Sequence, residues 1–124
     1  MAGTVTYTPE TWGDRYTNRH GYKVTFTWTS NGSGVASGTT DEAYTGLIRT
    51  LITNPGSTAP TDDYDVEIRD SNGADLLVGS GADRDQTNSE AVNLSAPALV
   101  NDTLTLYVSG AGDSKQGVAI VMIE

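Results

Sequence analysis

Residues 22–29, YKVTFTWT, alternate without a break: Tyr22, Val24, Phe26 and Trp28 fall on one side, Lys23, Thr25, Thr27 and Thr29 on the other. In an extended chain successive side chains point to opposite faces, so this run reads as a strand with one face buried. Its aromatic and β-branched residues suit a pleated surface. The run ends in Ser30-Asn31-Gly32-Ser33-Gly34. Asn-Gly supplies the positive φ angles that a tight turn requires, so the chain is expected to reverse there or to enter a short loop.

The same period recurs along the chain. It predicts further strands at residues 4–8, 43–53, 64–69, 75–78, 91–94, 103–109 and 117–123. Tyr64, Val66 and Ile68 alternate with Asp65, Glu67 and Arg69, and Leu104, Leu106 and Val108 with Thr105, Tyr107 and Ser109, so each of these strands should have one wet face. In the last strand Val118, Ile120 and Met122 alternate with Ala119, Val121 and Ile123, and both faces read as buried. That pattern fits a central strand covered on both sides, or a strand whose outer face meets another chain. Residues 41–53 also admit a helix, with Asp41 as N-cap and Leu47, Ile48, Leu51 and Ile52 at helical spacing. Gly46 would cost such a helix about 1 kcal/mol and its threonines are weak helix formers, which favours strand. About eight short strands separated by polar turns predict an all-β fold, a single antiparallel β-sandwich of jelly-roll-like form. Residues 1–20 read as an N-terminal arm, or a first strand plus loop, ahead of a sandwich domain at 21–124.

The chain has 124 residues, enough for one such domain. It has no cysteine, so packing alone must hold it. No basic patch is followed by an apolar run at the N-terminus, and no apolar stretch is long enough to span a bilayer. The expectation is a soluble protein without a signal peptide and with no membrane partner. A formal charge of −9 would repel phosphate backbones, so nucleic acid is not an expected partner either.

The sequence contains few groups for catalysis. Its single histidine, His20, reads as an ordinary loop residue, and no G-x-S-x-G elbow is present. With one His and no Cys, the chain alone cannot supply the usual three or four zinc ligands. Gly79-Ser80-Gly81 and Gly110-Ala111-Gly112 match no phosphate-binding pattern and read as turns. No enzyme is expected. In Asp70-Ser71-Asn72-Gly73-Ala74-Asp75, Asp70, Asn72 and Asp75 form a loose match to a calcium loop, without the later glutamate of an EF-hand. A hairpin turn with solvated acids accounts for the same letters, and no cofactor is expected.

Tyrosine and tryptophan offer stacking faces with polar tips, and Tyr7, Trp12, Tyr16, Tyr22, Tyr44, Tyr64 and Tyr107 could line a sugar or peptide groove. Trp28 belongs to an apolar face and reads as core. The polar stretch 11–21 is the one locally basic segment, and it holds Trp12, Arg15, Tyr16, Arg19 and His20. A structured loop is the default reading. Trp12, Arg15, Tyr16 and Arg19 are also the residue types that dominate protein interfaces, which makes them the candidate partner contact.

The stretches APTDDYDVEIRDSNGADLLVGSGADR, residues 59–84, and LTLYVSGAGDSKQGVAIVMIE, residues 104–124, resemble small structural proteins from the virions of tailed bacteriophages. The resemblance implies a virion location after synthesis in the host cytoplasm. It also implies a role as a capsid decoration, or cement, protein bound to the major capsid protein as a homo-oligomer, for which a trimer is expected. The alternative is a tail, fibre or head-tail joining component, including a glycan-binding β-domain.

Overall fold

The computed structural model describes residues 3–14 and 19–124. Among the described residues six strands follow in order: β1 (Thr4–Asp14), β2 (Arg19–Thr29), β3 (Ala36–Pro55), β4 (Asp65–Arg69), β5 (Glu90–Ser109) and β6 (Gln116–Ile123). They form one sheet in the order β1-β2-β6-β3-β5-β4, with every neighbouring pair antiparallel. No helix occurs among the described residues, and residues 41–53 lie within β3.

Six strands replace the eight short ones expected. Residues 91–94 and 103–109 belong to one 20-residue strand, β5, because residues 98–103 between them pair with β3, while residues 94–97 bulge out of the ladder where it steps from Asn93↔Thr50 to Ala98↔Ile48. Residues 75–78 are a turn. Asp75 forms an isolated bridge to Arg69, and its carboxylate then accepts the amides of Leu77 and Gly79 at 3.0 and 2.9 Å, which winds the chain away from a ladder. His20, Arg19 and residues 11–14 are strand rather than loop, paired through Thr11↔Tyr22, Trp12↔Gly21, Gly13↔His20 and Asp14↔Arg19.

Two irregularities bend the long strands. Between Thr39 and Ala43 the β3–β5 register slips, and the break is held by Thr40, whose hydroxyl donates to the Glu42 carbonyl at 2.8 Å and accepts the Leu104 amide at 3.0 Å. Between Ile48 and Thr50 the register slips again, with Arg49 as the extra residue against β6. Bulges of this kind kink a strand and increase its twist. The bent sheet closes over itself, so side chains meet across strands that share no hydrogen bonds: Trp28 of β2 packs on Tyr64 with ring centroids 5.7 Å apart, and Tyr22 of β2 on Tyr44 of β3 at 5.1 Å.

The enclosed core is the set that alternation selects. Val24, Phe26 and Trp28 meet Ala119, Val121 and Ile123, together with Ile48, Leu51, Val66, Ile68, Leu104, Leu106 and Val108, all buried. Leu77 plugs one side from the turn after β4. The free edge of β4 is covered by that same segment, through Leu76 N to Ile68 O at 2.7 Å and Val66 N to Gly81 O at 2.9 Å. β6 is central in the sheet, but only one of its faces is fully buried: Val118, Ile120 and Met122 remain half-buried. Their neighbours on that face are Lys23, Thr25, Thr27, Thr50, Ile52 and Asn54, a mixed surface with one further isoleucine rather than a second core.

Candidate docking surface

The β2–β6 ladder ends at Tyr22↔Ile123, whereas the β1–β2 ladder continues to Asp14↔Arg19. The hairpin therefore runs past the end of β6 as a two-stranded ribbon. Of the residues picked out for partner contact, Trp12 lies on β1 of this ribbon and Arg19 begins β2. Arg15 and Tyr16 lie outside the described residues.

Trp12 is half-buried and sits opposite Gly21. A β-carbon on Gly21 would collide first with the Ile123 carbonyl oxygen and would also come within 2.8 Å of Trp12 Cζ2, so the absent side chain makes room for both the β6 backbone and the indole. The indole then forms one wall of a shallow depression of about 180 Å³ with Arg49, Met122, Ile123 and Glu124. Arg49 Nε pairs with Glu124 Oε1 at 2.9 Å, and Leu47 and Glu124 exchange two backbone hydrogen bonds at 2.8 Å, which fixes this end of the sheet. Trp12 Nε1 is shielded from solvent and has no hydrogen-bond acceptor among the described residues.

A second concavity, of about 350 Å³, opens between the ribbon and the first β3 bulge, lined by Pro9, Glu10, Thr11, Tyr22, Glu42, Ala43 and Tyr44. The bulge turns Glu42 toward β1, where Tyr7 donates its hydroxyl to Glu42 Oε2 at 2.7 Å and itself accepts the Asp41 amide at 2.7 Å. Tyr44 donates to the same carboxylate oxygen at 3.5 Å. The hydrogen bond from Tyr7 holds the Glu42 carboxyl below its usual pKa, and the same bond raises that of Tyr7. Burial, followed by the negative charge of Glu42, pushes the Tyr44 phenol up to about 12. Tyr7, Tyr22 and Tyr44 were legible in the sequence as aromatic candidates. Glu42 was not, since nothing local in Asp41-Glu42-Ala43 shows that a bulge aims it at a residue 35 positions away.

The calcium-loop candidates resolve into a turn. Asp70 Oδ1 accepts the amides of Asn72 and Ala74, both at 3.0 Å, and both oxygens of Asp75 accept backbone amides. Those bonds direct the carboxylates inward to their own loop. No group of three or more His, Cys, Asp or Glu side chains is placed to hold a metal ion among the described residues.

No family model and no curated protein matches the chain. A solved structure concerned with promiscuous specificity in carbohydrate-binding modules of the β-sandwich superfamily is similar over 99% of this chain and 56% of its own, at 18% identity and a TM-score of 0.35. This chain thus spans little more than half of that one, and a likeness at this level carries no argument about function.

Proposed function

We propose that the chain is a non-catalytic β-module that works by binding, and that it is a bacteriophage virion structural protein of the capsid decoration type, a sandwich built from one bent sheet. The observation that carries the reading is the β1–β2 ribbon, which extends past β6 and bears Trp12 on a glycine-cleared surface. Tryptophan and arginine anchor interfaces out of proportion to their number, and Trp12 and Arg19 share this ribbon. A net charge of −9 keeps the free protein soluble, which suits a protein added to a finished shell. In this reading the ribbon contacts the major capsid protein and copies associate as a trimer, since closed cyclic symmetry matches a three-fold position on an icosahedral shell.

Co-sedimentation with capsids that lack the protein tests this. Saturable binding should weaken at higher salt if Arg15 and Arg19 contribute, and Trp12→Ala should cost about tenfold or more in affinity, as for an interface anchor. Wild-type protein that stays in the supernatant at every concentration would remove the proposal.

A further inference from the structure

We infer that the groove between β1, β2 and the first β3 bulge is a binding site for an aliphatic ammonium group, the side chain of a lysine presented by a partner protein. The inference is independent of the capsid reading and of the ribbon's far face, where Trp12 lies.

Charge is the first argument. Glu10 and Glu42 both line the groove and no cationic side chain among the described residues does, since Lys23, opposite Glu10 in the β1–β2 ladder, is not part of the lining. The second is how Glu42 is held. Its two side-chain hydrogen bonds among the described residues, from Tyr7 and Tyr44, both fall on Oε2, so the carboxylate is held in place and no other side chain of the described residues bonds Oε1. One oxygen is a point acceptor, which suits a compact ammonium. A guanidinium fork gains its advantage from gripping both oxygens of a carboxylate, and here the phenols already occupy one.

The walls suit the rest of such a side chain. Tyr22 and Tyr44 meet edge to face, with ring planes at 73° and centroids 5.1 Å apart. Both line the groove, Tyr44 buried and Tyr22 half-buried, so Tyr22 is the more accessible of the two. An aromatic face attracts a cation, and Pro9 and Ala43 add apolar surface for the methylene stem. The bulge at residues 40–42 belongs to the same device, because it turns Glu42 out of the β3–β5 ladder and toward the tyrosines.

The test is an NMR titration of the intact chain with acetyl-Gly-Lys-Gly-amide, with its Nε-acetyllysine and arginine counterparts, and with a neutral trisaccharide. The lysine peptide should shift the amides of residues 10, 11, 22 and 42–44 saturably, and the acetylated peptide should not. Glu42→Gln, which keeps an oxygen for the Tyr7 hydroxyl but removes the charge, should weaken the lysine peptide about tenfold, and Tyr22→Leu, which keeps the charge but removes the ring, several-fold. Spectra otherwise unchanged will show that each variant is folded. The inference is overturned if the lysine peptide shifts nothing, if acetyllysine binds equally well, if arginine binds more tightly, or if the sugar occupies these residues and the lysine peptide does not.

Discussion

Trp28 and Gly117 face each other across β2 and β6, and the indole occupies the space a side chain on Gly117 would need: a β-carbon there would stand 2.5 Å from Trp28 Cζ2. The pairing is repeated at the ribbon, where Trp12 lies opposite Gly21. In each case a side chain at the glycine would collide with the indole, and at Gly21 with the Ile123 carbonyl as well. One ring sits in the core and the other on the outer surface, so the same local device serves packing in one place and presentation in the other.

Gly117→Ala should therefore destabilise the fold by about 1–3 kcal/mol, the usual cost of overpacking a well-filled core. Urea denaturation should show a lower midpoint with an unchanged slope. An unchanged midpoint would mean that Trp28 can move aside, contrary to its burial between Gly117 and Tyr64.

Val78 carries a strain with no packing return. It is held at φ 52° with 85% of its surface exposed, and a β-branched residue is poorly suited to that left-handed backbone. Val78→Asn should raise stability by about 1 kcal/mol, because asparagine tolerates the conformation. Thermal or chemical denaturation checks the sign.

Thr40→Val keeps the shape of the first bulge but removes its hydroxyl. The Leu104 amide then loses its acceptor in a buried site, a loss of about 1–3 kcal/mol. Hydrogen exchange at Leu104 should accelerate more than exchange at Leu106, whose strand position is remote from that hydroxyl.

Acid should weaken the surface loops in a defined way. The Ser71 hydroxyl and amide, joined by Thr103, hold the Asp102 carboxyl below its ordinary value of 3.8, and amides of Thr87 and Asn88 with the Asn88 side chain do the same for Asp85. A depressed carboxylate pKa contributes stability above the unfolded value, and that contribution is lost as pH falls through the folded value. Asp63 has the opposite sign: neighbouring Asp62, above all, raises its pKa, so its ionisation opposes folding and protonation relieves the repulsion. Asp102→Asn should flatten the decline in melting temperature below about pH 4, and Asp63→Asn should raise the melting temperature chiefly at neutral pH.

Alternation made the inner faces of β2, β4 and β6 legible, because Phe26, Ile68 and Val121 each sit in a local run whose period is itself the structure. The join of residues 91–94 to 103–109 was hidden, since Ser95, Ala96 and Pro97 carry no strand signal and bulge between Asn93↔Thr50 and Ala98↔Ile48, pairs that depend on distant β3. Leu76 and Leu77 misled for the converse reason: two apolar neighbours imitate a strand, while the carboxylate of Asp75 turns the chain so that Leu77 enters the core and Leu76 packs partly buried against it. At the surface, residue type was enough to single out Trp12. Its strand position and the partnership of Tyr7 with Glu42 depend on pairings across the sheet, which no local pattern encodes.

The most direct test of the central claim is the number of copies bound per capsid at saturation, counted on shells that lack the protein and accompanied by a reconstruction of the decorated particle. A copy number equal to a class of equivalent lattice positions, with the β1–β2 ribbon against the shell, is the predicted result. Binding without a fixed number, or attachment through the β4 side with the ribbon in solvent, would contradict it.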